Sequence, residues 1–257
     1  MEFVYWRHPS VPGIKIEEVS GGEHYKGRVW LEMARQVYCE NGREAYREIG
    51  HFKNGAPFLF GESSRISITH CNGLLAVATL PPTPEIDLGM FSERAALGID
   101  AESVDRQQVL KLRERFLSDT ELDMIPADDL TANIIAWTIK EAAYKAAFKP
   151  GLEFRSQISI RRMPRLAPPT PVFDSSEFGL PDNTKELPED FFGEVTIVVD
   201  DTAVGATAHE SVDASNPSDG ASETLISLIV YSYMSDGFVV TLCYAPRCAK
   251  FSKSARV

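Results

Sequence analysis

Residues 137–148 read WTIKEAAYKAAF, and this stretch decides the fold of the chain. Trp137, Glu141 and Lys145 recur every four residues, and side chains at that spacing share one face of an α-helix. The helix is predicted over residues 128–148, because an aspartate near its start can cap it and a Pro-Gly pair follows its end. It therefore presents a carboxylate and an ammonium on the same face.

The second stretch is residues 98–102, GIDAE, predicted to end a short strand. Positions two apart on a strand project to the same side, so Asp100 and Glu102 lie side by side. Adjacent carboxylates repel unless a cation lies between them, and such oxygen ligands suit Mg²⁺. If strand and helix meet, Glu141 becomes a third ligand and Lys145 can bind a phosphate. The alternative is a solvated acidic turn and a surface Glu–Lys pair.

Composition narrows the class of protein. A chain of 257 residues with 44% hydrophobic and 25% charged residues is expected to fold as one large domain or two small ones. Its net charge of −11 disfavours general binding to nucleic acid or anionic membranes. No apolar run is long enough to span a bilayer, and no signal peptide is expected. Four cysteines without a CxxC pair indicate reduced thiols and a cytoplasmic protein.

The remaining pattern predicts an α+β fold with antiparallel hairpins. An Asn-Gly pair at residues 72–73 is the strongest hairpin signal. A connecting loop over residues 84–96 is the predicted boundary between halves 1–96 and 97–257. Residues 163–189 are predicted to be irregular, and residues 201–223 to form a loop. Helices are predicted over 22–40 and 106–116, and strands over 2–6, 14–19, 65–70, 74–80, 97–100, 153–161, 194–200, 224–233 and 237–244.

Two further features indicate an anionic ligand. His70 ends a strand before the Asn-Gly turn, where the imidazole or the N–H groups of the turn can hold a phosphate. A basic stretch suits a polyanionic ligand or an acidic partner, and the alternative is a solvated helix and strand face. Its members are Lys140, Lys145, Lys149, Arg155, Arg161, Arg162 and Arg165.

Together these motifs resemble a known family. GIDAE, followed some forty residues later by WTIKEAAYK, is similar to the paired signature of the 4′-phosphopantetheinyl transferases, G-I-D-x-E and W-(S/T/C)-x-K-E-(A/S)-x-x-K. A third family motif, an N-x-S-H-S-type segment after Gly-Lys-Pro, has its counterpart in residues 67–71 after Gly55-Ala56-Pro57. The length resembles the Sfp-type branch. The resemblance implies a pseudo-dimer of two similar α+β halves, with antiparallel sheets packed on helices and the active-site cleft between the halves.

The resemblance implies transfer of 4′-phosphopantetheine from coenzyme A to a serine hydroxyl of an acyl or peptidyl carrier protein. The other product is adenosine 3′,5′-bisphosphate. By motif position, Asp100, Glu102 and Glu141 hold Mg²⁺, or Mn²⁺, on the pyrophosphate. Glu141 is also the implied general base, and Lys145 stabilises the leaving group. Asp100 is the third implied catalytic residue. The expected protein is a monomer, and the basic stretch is a candidate docking edge for the carrier protein.

Coenzyme A contacts follow from the same motifs. His70 meets the 3′-phosphate with Thr69 beside it, and Lys145 and Lys149 face phosphates. The family lysine before proline is Ala56 here, so Lys53 is the candidate replacement. The family arginine of the N-terminal helix corresponds to Lys26, or alternatively to Arg28. A homologue that binds coenzyme A or carrier protein without transfer, and a metal-dependent phosphohydrolase, are the alternative functions.

Overall fold

The computed structural model describes residues 2–7, 14–20, 48–61, 64–80, 96–167, 170–171, 184–187, 191–200 and 223–245. The predicted helix over 22–40, the loop over 84–95 and the loop over 201–222 lie outside these residues. The helices are α1 (Gln108–Phe116), α2 (Asp119–Met124), α3 (Leu130–Ala147) and α4 (Phe154–Gln157). None of these helices is both long and apolar enough to cross a membrane.

The strands form two larger sheets and one small hairpin. In chain order they are β1 (Glu2–Arg7), β2 (Lys15–Ser20), β3 (Ile49–His51), β4 (Pro57–Leu59), β5 (Arg65–Cys71), β6 (Leu74–Leu80), β7 (Leu97–Ser103), β8 (Ile158–Arg162), β9 (Leu166–Ala167), β10 (Thr170–Pro171), β11 (Thr184–Glu186), β12 (Gly193–Asp200), β13 (Glu223–Ser235) and β14 (Phe238–Tyr244).

The first sheet has the order β10-β11-β1-β2-β6-β5, and the second has the order β7-β14-β13-β12-β8 with β9 beside β13. Strands β3 and β4 pair separately. Most neighbours are antiparallel, and the parallel pairs are β1 with β11 and β13 with β9. The predicted α+β class with antiparallel sheets is confirmed. Strands β10 and β11 follow residue 97 in the chain and still join the first sheet.

Strand β7 separates two layers of packing. Leu97, Ile99 and Ala101 belong to a buried cluster that also contains Leu74 and Leu80 of the first sheet. The even-numbered residues of β7 face helix α3, since alternate residues of a strand point to opposite sides. Asp100 therefore meets the helix. A buried polar contact also joins the sheets, because Glu18 accepts hydrogen bonds from the hydroxyls of Tyr233 and Ser235 at 2.5 and 2.6 Å.

Helix α3 confirms the prediction over residues 128–148. The Asp129 carboxylate accepts a hydrogen bond from the Ala132 N–H at 2.9 Å and so caps the first turn. The helix ends at Ala147, and the next residue, Phe148, has φ 56° and a left-handed conformation. Its buried side makes a polar contact with the second sheet, since the hydroxyls of Thr138 and Thr241 lie 2.7 Å apart.

Short-range contacts overturn part of the predicted pattern. Residues 153–161 were expected to form one strand, but Phe154–Gln157 forms helix α4 before β8 begins. Ser156 Oγ donates to the Glu153 carboxylate at 2.5 Å and Gln157 Oε1 accepts the Glu153 N–H at 2.8 Å, so local polar contacts close a turn.

The prediction that residues 163–189 are irregular was wrong where strands β9, β10 and β11 form, since their partners are distant in sequence. Helix α2 was not predicted, although Ser118 and Glu121 form a capping box.

Gly98 lies directly against the backbone of helix α3. A Cβ atom at this position would be 1.9 Å from the Ala142 carbonyl oxygen and 2.7 Å from the Ala146 nitrogen. Backbone atoms cannot rotate away, so Gly98→Ala should push the helix from the strand and lower the free energy of unfolding by at least about 2 kcal/mol. Urea denaturation measures this loss. A variant with the midpoint of the wild type would contradict the close packing of β7 on α3.

Candidate active site

Strand β7 and helix α3 border a polar cavity of about 680 Å³. The end of strand β5 and the turn after it complete the wall. The three predicted metal ligands, Asp100, Glu102 and Glu141, all line this cavity, together with His70 and Arg106. The fold thus brings together the two stretches of sequence that carry the charged side chains. We refer to this space as the polar cavity.

Asp100 is held by contacts from two other elements. Its Oδ1 accepts a hydrogen bond from the Lys145 ammonium at 2.7 Å and another from the Thr69 hydroxyl at 3.0 Å. Lys145 also donates to the Ile99 carbonyl oxygen at 2.9 Å. The Asp100 carboxylate and the Lys145 ammonium are therefore in direct contact, and strand β7 holds the ammonium through both of its hydrogen bonds.

Glu102 is paired with a cation four residues further along the chain. The Arg106 guanidinium forms an ion pair with Glu102, whose side chain is buried. As the side chains stand, no three His, Cys, Asp or Glu residues in the described ranges are grouped closely enough to enclose a metal ion. The physical reason is that Asp100 and Glu102 are directed towards the protein's own cations.

The donor set nevertheless fits a hard divalent cation. Three carboxylates border one cavity, and carboxylate oxygens are the ligands that Mg²⁺ and Mn²⁺ prefer. Burial, and next the negative charge of Asp100, raise the pKa of Glu141, while Lys145 and Arg106 oppose this shift. The part of this shift that comes from Asp100 is repulsion between two carboxylates, which a bound cation would relieve. The raised pKa also makes Glu141 a stronger proton acceptor than an ordinary surface carboxylate.

His70 and Cys71 also line the polar cavity. Burial, and next the charge of Lys145, lower the pKa of His70, while Asp100 opposes the shift. The imidazole is therefore largely neutral at pH 7. Burial and the nearby Asp100 raise the pKa of Cys71 to about 12, so its sulfur stays a thiol rather than a nucleophilic thiolate.

A second cavity of about 730 Å³ lies on the other side of Lys145. It is bordered by the β3–β4 hairpin, strand β5 and the end of helix α3. Four of its phenylalanine rings form a row in which each ring contacts the next. The ring centroids are 5.2 Å apart for Phe148 and Phe52, 4.6 Å for Phe52 and Phe58, and 4.8 Å for Phe58 and Phe60. We refer to this space as the aromatic cavity.

The aromatic cavity is positively charged. Among the described residues that line it, Arg65, Lys145 and Lys149 are cations and none is a carboxylate. The Arg65 guanidinium lies 5.1 Å from the centroid of the Phe148 ring. In a chain with a net charge of −11, this wall is suited to an anionic ligand with an aromatic or apolar part. The sequence reasoning missed Arg65 and these rings, although the alternation of Phe58 and Phe60 after an Asn-Gly turn was a signal.

Comparison with known protein families adds a finding to this geometry. Residues 96–179 match the family model of the 4′-phosphopantetheinyl transferase superfamily. The match spans about a third of the chain and contains the four helices and strands β7, β8, β9 and β10. It supports phosphopantetheine transfer in general. No curated protein matches the chain.

The superfamily match includes part of the predicted site. Asp100, Glu102, Glu141 and Lys145 lie inside it, whereas His70 and the β3–β4 hairpin precede it. The match supports the expectation of a phosphopantetheinyl transferase domain for residues 96–179, at the level of the superfamily. The roles of the individual residues stay predictions.

The residues predicted to contact coenzyme A lie in different environments. Lys149 lines the aromatic cavity beside Lys145. Thr69 is buried and its hydroxyl is bound to Asp100, while Lys53 is exposed and is not among the residues lining either cavity. Lys26, like its alternative Arg28, lies outside the described residues.

The basic stretch is only partly a surface feature. Lys140 is fully buried, and its ammonium lies 2.7 and 2.8 Å from the two carboxylate oxygens of Glu121. Its interpretation as part of a basic surface was therefore wrong. Arg155 is paired with Asp119 at 2.6 Å and Arg162 with Glu194 at 3.0 Å, which reduces the positive charge of the predicted docking edge. Carrier docking there remains a prediction.

Proposed function

We propose that this protein transfers 4′-phosphopantetheine from coenzyme A to a serine hydroxyl of an acyl or peptidyl carrier protein. One observation carries the proposal: strand β7 and helix α3 bring Asp100, Glu141 and Lys145 to one site, inside the segment that matches the superfamily. A phosphoryl transfer needs charge neutralised and oxygens held in position, and a site of carboxylates with an ammonium meets that need.

The two cavities support the assignment of coenzyme A as donor. Lys145 borders the aromatic cavity and binds Asp100 in the polar one, so it lies between them. Coenzyme A has a flat adenine ring, anionic phosphates and a pantetheine arm. In the proposed complex the adenine occupies the aromatic cavity against Phe148, the cations Arg65 and Lys149 face phosphate oxygens, and the pyrophosphate lies beside Lys145.

The chemistry follows from the side chains of the polar cavity. Mg²⁺, or Mn²⁺, would be held by Asp100, Glu102 and Glu141, and it would neutralise charge on the pyrophosphate. The serine oxygen attacks the phosphorus that bears the pantetheine arm, and the phosphoanhydride bond to the leaving phosphate breaks. Glu141 accepts the serine proton, and its raised pKa suits that role. Lys145 donates to the oxygen that gains negative charge as adenosine 3′,5′-bisphosphate leaves.

The finer assignments belong to the same proposal. We place the chain in the two-halved, single-chain branch of the superfamily, with residues 1–96 as the first half and residues 97–257 as the second. The contact between strand β5 of the first sheet and strand β7 of the second supports this arrangement. A monomer in the cytoplasm is expected. The neutral imidazole of His70 can donate a hydrogen bond to a phosphate of coenzyme A.

Mass spectrometry of an apo carrier protein incubated with the full chain, coenzyme A and Mg²⁺ tests the proposal. The expected result is addition of one phosphopantetheine group to the carrier protein, and its loss when a chelator is present. Free phosphopantetheine released without any carrier protein would indicate a hydrolase instead. Calorimetry that detects coenzyme A binding, with no transfer to any of several carrier proteins, would indicate a binding protein.

A further inference from the structure

Two strand edges meet beside the polar cavity through side-chain hydroxyls. Strand β5 is the last strand of the first sheet, and β7 is the first strand of the second. The Ile99 N–H donates to Ser67 Oγ at 3.0 Å, and the Ala101 N–H donates to Thr69 Oγ1 at 3.2 Å. Both hydroxyl side chains are buried. They satisfy edge N–H groups that would otherwise lack a partner within a sheet.

Among the described residues, the Thr69 hydroxyl makes a second contact and the Ser67 hydroxyl does not. An amide N–H can only donate, so Thr69 Oγ1 is the acceptor for Ala101 and its own hydrogen is free to be donated. That hydrogen goes to Asp100 Oδ1, 3.0 Å away. The direction of both hydrogen bonds is therefore determined by the chemistry of the groups. Thr69 ties the backbone of β7 to the carboxylate on the same strand.

The contacts of Asp100 leave one oxygen for a ligand. Within the described residues, its hydrogen bonds from Thr69 and Lys145 both fall on Oδ1. Two donors on one oxygen restrict the rotation of the carboxylate, since rotation would break both bonds. The Oδ2 atom is then the part of the side chain available to the polar cavity.

We propose that Thr69 is a positioning residue that orients Asp100 for a divalent cation. The inference rests on the proposed function in one respect, namely that Asp100 is a metal ligand. It gives Thr69 a different task from the phosphate contact that its sequence motif implied. Residues that orient a ligand through a hydrogen bond commonly change metal affinity or activity by about 10- to 100-fold when removed. Thr69 acts on the reaction through Asp100 and needs no contact with substrate.

The experiment compares Thr69→Val with Thr69→Ser and Ser67→Ala in the full chain. Valine keeps the shape of threonine and removes the hydroxyl, whereas serine keeps the hydroxyl. Binding of Mn²⁺ alone is measured by calorimetry or electron paramagnetic resonance. We expect Thr69→Val to weaken Mn²⁺ binding by about 10-fold and to lower kcat at least as much, with KM for the carrier protein unchanged. Thr69→Ser should return both values to within about threefold of the wild type.

Ser67→Ala is the matched control. It leaves the Ile99 N–H without its hydroxyl partner, as Thr69→Val does for the Ala101 N–H, so both variants lose one contact between the strand edges. Only Thr69→Val removes a hydrogen bond to Asp100. Ser67→Ala should therefore lower the melting temperature similarly and leave Mn²⁺ affinity within about twofold.

Three outcomes would overturn the inference: wild-type Mn²⁺ affinity in Thr69→Val, an equal loss in Ser67→Ala, or a wild-type protein that binds no Mn²⁺. Failure of the proposed function is distinguishable from these. In that case the wild-type protein would bind Mn²⁺ and modify no carrier protein, and the Mn²⁺ affinities of the three variants alone would decide the role of Thr69.

Discussion

Glu141→Gln is expected to lower the rate of transfer by about 10²- to 10⁴-fold while the protein remains folded. Glutamine has nearly the same shape and cannot accept the serine proton, and it is a weaker ligand for a cation. Initial rates of carrier modification, followed by mass spectrometry, measure the loss. Glu114→Gln is the matched control, because Glu114 is an exposed helical carboxylate that lines neither of the two cavities. Turnover of Glu141→Gln at the wild-type rate would exclude Glu141 as the base.

The same substitution should change the pH dependence of stability in the metal-free protein. Burial and Asp100 raise the pKa of Glu141 above the ordinary value of 4.5, so the folded state favours the protonated carboxyl. The unfolded state releases this proton at lower pH than the folded state. The contribution of Glu141 to the stability of the wild type therefore decreases as pH rises from 4.5 through the raised pKa. Melting temperatures are measured in a chelator as a function of pH. The melting temperature of Glu141→Gln should rise relative to that of the wild type across this interval. A constant difference between the two proteins would contradict the raised pKa of Glu141.

Lys140→Met is expected to cost about 3–5 kcal/mol of folding free energy, because it leaves the Glu121 carboxylate buried without its cation. Burial lowers the pKa of Lys140, and the Glu121 hydrogen bond and charge oppose that shift. The ammonium also donates to the carbonyl oxygens of Phe154 and Ile158. Lys140 thus joins helix α3 to α2 through Glu121, and to the junction of α4 and β8. Denaturant titration followed by circular dichroism measures the loss.

Two further variants separate the loss of the ion pair from a general effect of substitution. Lys111→Met replaces an exposed lysine on helix α1 and should change stability by less than about 0.5 kcal/mol. Adding Glu121→Gln to Lys140→Met removes the unpaired charge and keeps a carbonyl oxygen for the Ile160 N–H, which donates to Glu121 at 2.6 Å. The double variant should recover part of the stability. If Lys140→Met were as stable as Lys111→Met, the buried pair would not be a structural contact.

Local sequence signals predicted the elements that position the candidate site. The spacing of Trp137, Glu141 and Lys145 predicted helix α3, and GIDAE predicted a strand with two acids on one face. Both predictions agree with the structure because helix and strand periodicity, capping and turn residues act over a few neighbouring positions. The strand predicted over residues 153–161 was too long, because contacts among Glu153, Ser156 and Gln157 form a turn that the alternation of side chains does not reveal.

The sequence by itself therefore determined the α+β class, the charged face of helix α3, the paired acids of strand β7 and the resemblance to a transferase family. Only the tertiary structure decided that Lys140 is a buried partner of Glu121, that the Thr69 hydroxyl holds Asp100, and that four phenylalanines form a cavity beside Lys145. These properties depend on contacts between residues far apart in the chain. Those contacts determine the free energy of burying or pairing a side chain. Local periodicity in the sequence does not predict them.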